Sequence, residues 1–256
     1  MPDAVLNDAS SLSAGQCRDL LFGGGAEACI IDRPVLAEAP YRPLIEALAR
    51  GPGFRMSLNS EAPAKALERL VGQLFPAAAL GDAVAALSGE IDRLADRVGE
   101  IAGGRPMVVL RTYFAPGDLV WHVDRMPGQR SVRLVWPIGR PGGMQVTPHA
   151  NVDQPLYAAF MRREFPLLCR LDDHVEKRGG SLERLWAYRP ERVRMMQTGA
   201  FPFIRNPAAV ATVPVGAASL HRVETIGWPG CLHRSDWCNR DQPGVQIVIT
   251  ASDSDA

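Results

Sequence analysis

A chain of 256 residues with 46% hydrophobic content is long enough to bury a large core, and its 28 Lys+Arg against 28 Asp+Glu leave no formal net charge. With a pI near 7.0, no global field recruits nucleic acid or an anionic membrane, which excludes a polyanion as the main partner. No segment approaches 18 continuous apolar residues, and the start MPDAVLNDASSLSAGQ lacks the basic opening and apolar run of a secretory signal, so the expectation is a cytoplasmic protein, with self-association as a homodimer left open.

Residues 1–105 read as a mostly helical support region. Helices are expected at 41–50 (YRPLIEALAR) and 62–75 (APAKALERLVGQLF), on either side of the Gly/Pro-bearing GPGFRMSLNSEAP. The clearest is 82–101, where Val84, Leu87, Ile91, Leu94, Val98 and Ile101 recur at steps of three and four with charged residues between them. GGRP at 103–106 is a turn. Beyond it the pattern changes to short apolar runs punctuated by Pro and Gly: MVVLRTYF, LVWHVD, SVRLVWPI and MQVTP. A helical insertion is expected at about 154–187, after which strands resume with RVRMMQTGAF, AVATVPV, AASLHRV, GCLHRS and VQIVIT. The fold class is therefore mainly β with helices (α+β), residues 106–256 forming a jelly-roll core of about eight strands interrupted once.

Cys17, Cys29, Cys169, Cys231 and Cys238 are odd in number and form no C-x-x-C pair, which favours reduced thiols over a disulfide frame.

The chemistry concentrates in LRTYFAPGDLVWHVDR, residues 110–125. In an extended segment side chains at i and i+2 leave from one face, so His122 and Asp124 converge while Val123 turns away. With 5 His and 16 Asp in the chain, chance alone gives about 0.3 such H-x-D pairs, so the pair needs a third partner to carry meaning. A mononuclear iron site takes two His and one carboxylate on one side of the metal and leaves the other positions open. His174 falls in the helical insertion and His149 follows a proline in a loop, which leaves His221 and His233. His233, just after the Gly-Trp-Pro-Gly turn, is the favoured distal ligand. His221, further back on the previous strand, is the alternative.

VLRTYFAPGDLVWHVD resembles the first metal motif of the Fe(II)/2-oxoglutarate-dependent dioxygenases, in which an aromatic strand, a Pro-Gly turn and H-x-D follow one another. VPVGAASLHRVETIGWPGCLHRSD is similar to their second half, where a strand and turn lead to the distal His. The likeness spans about residues 106–250, and the layout is also similar to an uncharacterised bacterial domain family ending in a comparable His-Arg-Ser segment. It implies a double-stranded β-helix binding Fe(II) through His122, Asp124 and His233, with 2-oxoglutarate as cosubstrate and O2 as oxidant, and hydroxylation or desaturation of a small molecule. Retention of Asp124 argues against halogenation, for which the related enzymes have a small residue there.

Where that family carries an arginine for the far carboxylate of 2-oxoglutarate, this chain has Gln246. A neutral amide forfeits the two-pronged, charge-assisted bond, worth about 1.5–3 kcal/mol. Arg133 is the preferred substitute, with Arg111, Arg234 and Arg240 as the others, and Tyr113 is a candidate hydrogen-bond donor to the cosubstrate. Arg234 and Ser235 are also placed to orient substrate. Trp121, Trp136, Trp228 and Trp237 fall on segments expected near the mouth. Gln246 keeps a second reading in play, a jelly-roll metal enzyme that does not use 2-oxoglutarate. A third is a non-catalytic jelly-roll binding protein.

Overall fold

The apolar stripe expected in the first hundred residues becomes the long helix around which the N-terminal layer is built. In the computed structural model, which describes residues 6–32, 39–51, 53–58, 63–75, 80–112, 116–178, 190–239 and 244–253, this helix is α4, Gly81–Ala102. Val84, Leu87, Ile91, Leu94, Val98 and Ile101 are all buried along it. It stops at Gly103, whose φ of 76° is open to glycine and whose N–H caps the Gly99 carbonyl. Helices α1 (Ala14–Phe22), α2 (Arg42–Arg50) and α3 (Pro63–Leu74) complete the layer.

Among the described residues, ten strands form two sheets: β1 (Leu6–Asp8), β2 (Ala28–Asp32), β3 (Arg55–Ser57), β4 (Met107–Arg111), β5 (Ser131–Ile138), β6 (Met144–Thr147), β7 (Ala211–Thr212), β8 (Ala218–Val223), β9 (Leu232–Ser235) and β10 (Val245–Ser252). The large sheet runs β1-β2-β8-β5-β10-β4-β3, antiparallel except for β1 with β2, and the small sheet runs β7-β6-β9. The molecule is thus α+β with mostly antiparallel sheets.

The period of two along the large sheet separates core from cavity. Val108 and Leu110 of β4, Leu134 and Trp136 of β5, and Ile247 and Ile249 of β10 join the α1–α4 residues in one hydrophobic cluster. Each such side chain fully removed from water contributes about 1.5–3 kcal/mol. The alternate residues face the other way, toward the small sheet. Behind the small sheet, Leu119, Val120, Trp121 and Leu232 pack with Tyr157 and Phe160 of α5 (Gln154–Arg178), Met196 of α6 (Pro190–Thr198), and Phe201 and Phe203.

One expectation is corrected. RVRMMQTGAF is not a strand: most of it lies in α6, which has Pro190 at its first position, Glu191 in its first turn and Gly199, at φ 70°, just past its end. Besides its helices, the N-terminal region contributes β1, β2 and β3, which extend the large sheet on both sides. The expected insertion is helical as far as Arg178, and 179–189 lie outside the described residues.

Candidate metal centre

His122 and His233 face each other across an antiparallel pair of backbone hydrogen bonds, His122 N–H to His233 C=O at 3.0 Å and the reverse at 2.9 Å. Residues that exchange both bonds present their side chains on the same side, and the two imidazole centroids are 4.4 Å apart. Asp124, two residues on, is held by its own carbonyl, which accepts the Glu224 N–H at 2.7 Å. One potential ligand atom from each of His122, Asp124 and His233 lies within 4.8 Å of the other two.

The geometry fixes which nitrogens face inward. His122 Nδ1 donates to the Val120 carbonyl at 2.8 Å, and His233 Nδ1 to the Cys231 carbonyl at 3.1 Å. Each imidazole is oriented by the chain two residues upstream, so that Nε2 keeps its lone pair for a metal. Close approach of the strands depends on Gly230, where a Cβ would lie 2.6 Å from the Glu224 nitrogen.

Asp124 is gripped at both oxygens. Arg133 Nη1 lies 2.6 Å from Oδ1, and His221 Nε2 lies 3.2 Å from Oδ2. Burial disfavours its ionised form, but the His221 hydrogen bond, the neighbouring His233 and the charge of Arg133 outweigh this and hold the carboxyl well below the usual range. Burial pushes the imidazoles of His221 and His233 below their ordinary value, and neighbouring imidazoles add to the depression at His233. An ionised Asp124 beside a neutral His233 is the protonation state that a divalent metal requires. The donor set fits Fe(II) and equally other first-row divalent ions.

These groups line a cavity of about 480 Å³ between the sheets. Arg111, Val109 and Met107 enter it from β4, Gln246, Val248 and Thr250 from β10, and Arg133 from β5. Arg111 Nε donates to Gln246 Oε1, and its Nη2 lies 2.9 Å from Asp118 Oδ2. Arg133 also donates to Thr250 Oγ1 at 3.0 Å.

Other expected site residues lie elsewhere. Arg234 sits on the opposite face of β9, buried, donating to the Met196 carbonyl at 2.7 Å, because successive residues of a strand alternate faces. Fully buried His221 stands beside the carboxylate, outside the three-residue group, and its Nδ1 has no partner among the described residues. His149 lines a separate groove with Arg125 and Trp228. None of Trp121, Trp136, Trp228 and Trp237 lines the cavity; the first two are core residues of the flanking layers. Tyr113, Arg240 and the side chains of His174 and Cys169 lie outside what is described. Cys17, Cys29, Cys231 and Cys238 are free thiols, the first three buried.

Arg55, Ser57 and Asp118 line the cavity but escaped the sequence reading. The signal for the first two was the strict alternation in Phe54-Arg55-Met56-Ser57-Leu58, which reads as a strand with a polar face. No protein-family model matches the chain, and no curated protein is significantly similar to it.

Proposed function

We propose that the protein is a mononuclear non-haem iron oxygenase that uses 2-oxoglutarate to hydroxylate or desaturate a small molecule. The observation carrying this reading is the convergence of His122, Asp124 and His233 at the wall of the cavity, both histidines having Nδ1 tied to their own backbone. The order of segments supports a double-stranded β-helix. Passing along the chain, β4, β5, β8 and β10 fall in the large sheet, while the 120–126 segment, β6, β7 and β9 fall beside or within the small one.

Ferrous iron bound by these three residues would supply the activation of O2. The chain's own contribution is the rest. Asp124 stays ionised, Arg133 occupies its Oδ1 so that Oδ2 faces the imidazoles, and a cavity of about 480 Å³ suits a small molecule. Since Arg133 is paired with a candidate metal ligand itself, whereas the partner of Arg111, Asp118, is outside the three-residue group, we assign the far end of 2-oxoglutarate to Arg111. Its guanidinium is anchored by Gln246, the residue at the family's arginine position, so a cation reaches this place from β4, the neighbouring strand.

Anaerobic addition of Fe(II) and 2-oxoglutarate tests this reading, with a weak visible charge-transfer band as the expected result. Metal uptake without the band would favour the metal enzyme that does not use 2-oxoglutarate, a reading that Gln246 itself supports. Failure to take up any divalent metal would leave a binding protein.

A further inference from the structure

Three strands place arginines or their partners in one row across the cavity wall. Gln246 of β10 pairs with Arg111 of β4, and Arg111 pairs in turn with Arg55 of β3. Like charges directly opposite on neighbouring strands repel. Arg111 is offset by Asp118 at 2.9 Å and Arg133 by Asp124 at 2.6 Å, whereas Arg55 makes no ion pair among the described residues. Ser57, two residues along β3 on the same face, joins Arg55 in lining the cavity, while Met56 between them packs into the core.

The charges of the wall show what is missing. Among the described lining residues, three arginines against Asp118 and Asp124 leave one positive charge, within a chain that is neutral as a whole. A divalent metal raises this to three, and the dianion 2-oxoglutarate returns it to one. Arg55 and Ser57 are exposed at the rim of this cavity, and the remaining occupant of a cleft of this sign is favoured as an anion.

We infer that Arg55 and Ser57 form a substrate subsite for a single anionic group, a carboxylate or a phosphate-type oxyanion, on the small molecule that the metal centre acts upon. The Arg55 row lies four residues along β10 from Thr250, which pairs with Arg133 beside Asp124; this is about 13 Å of strand. A substrate gripped by its anionic end at Arg55 would extend its remainder toward the metal ligands. The inference rests on the iron-oxygenase reading for the identity of the bound molecule as substrate.

The test uses the full chain loaded anaerobically with Fe(II), with and without saturating 2-oxoglutarate, and titrates benzoate, phenylphosphonate and neutral benzamide. Wild type is expected to bind at least one of the two anions tenfold or more tightly than benzamide, and whichever anion binds identifies the group. Arg55→Gln should reduce that anion to the affinity of benzamide, Arg55→Lys should keep most of the preference, and 2-oxoglutarate affinity should stay within twofold in both. Equal binding of the three probes by wild type would overturn the subsite. So would a preference that survives Arg55→Gln, which would place the anion on the metal, or a parallel loss of 2-oxoglutarate affinity, which would give Arg55 to the cosubstrate. If wild type ignores 2-oxoglutarate, the proposed reaction fails, and the Arg55→Gln comparison without it still decides the anion subsite.

Discussion

Arg133 Nη1 and Asp124 Oδ1 lie 2.6 Å apart, which commits this guanidinium to the carboxylate at the metal centre. Partners that orient a ligand typically govern metal affinity by ten- to hundredfold. Arg133→Gln is therefore expected to weaken Fe(II) or Co(II) binding by about that factor in an anaerobic calorimetric titration, and Asp124→Asn by more. Unchanged affinity in Arg133→Gln would show that the carboxylate needs no such restraint.

His233 and His221 make a second contrast. His233→Ala removes an Nε2 from the cluster and should abolish tight metal binding. His221→Ala leaves all three ligands and should retain binding, weakened by about ten- to hundredfold through loss of the bond to Asp124. The reverse ranking would move the distal ligand to β8.

Acid stability follows from the buried imidazoles. His221 and His233 have folded values below the ordinary 6.5, so below that pH the unfolded chain takes up protons that the folded chain refuses. Stability of the metal-free protein should accordingly be flat just above pH 6.5 and fall as pH drops beneath it, by up to about 1.4 kcal/mol per pH unit for each group. Asp124 adds to the loss further down: its depressed value stabilises the fold above 3.8 and ceases to do so as pH falls through the folded value. Urea unfolding at a series of pH values checks this. His221→Gln should remove about one group's share of the slope, and a profile with no decline below 6.5 would contradict the assignment of neutral imidazoles.

Arg111 carries the cosubstrate prediction. Losing a hydrogen bond to a charged group costs about 1.5–3 kcal/mol, so Arg111→Gln should raise the Kd for 2-oxoglutarate roughly ten- to hundredfold while leaving metal affinity intact. Equal affinity in the variant and the wild type would place the anchor elsewhere.

Gly230 supplies a prediction made on backbone grounds alone. Its missing Cβ leaves room for the Glu224 nitrogen, so Gly230→Ala should push the start of β9 away from Glu224, whose N–H holds the Asp124 carbonyl. Overpacking of this kind costs about 1–3 kcal/mol. Thermal unfolding should show it, with weaker metal binding alongside, because His233 moves with β9.

The parts legible in sequence are those governed by local periodicity. The 3.6-residue stripe gave α4 almost to the residue, and the i, i+2 rule put His122 and Asp124 on one face. His233 was favoured over His221 from its position after a turn, and the group that converges contains His233. Pairing across strands was not legible. That Arg133 would meet Asp124 and Arg111 would meet Gln246 depends on which strands neighbour one another, and no local pattern encodes this. α6 was misread because Val193 and the neighbouring methionines suit either period, although Pro190 and Gly199 marked the helix.

Among the described residues, the strand bearing Arg55 is the outermost of its sheet and hydrogen-bonds along one side only, to β4. Exchanging its two polar residues disturbs no ladder beyond it and no ligand to the metal. On the proposed reading, descendants of this chain can therefore change what they admit by altering the rim, while the candidate metal ligands at the far wall are inherited untouched.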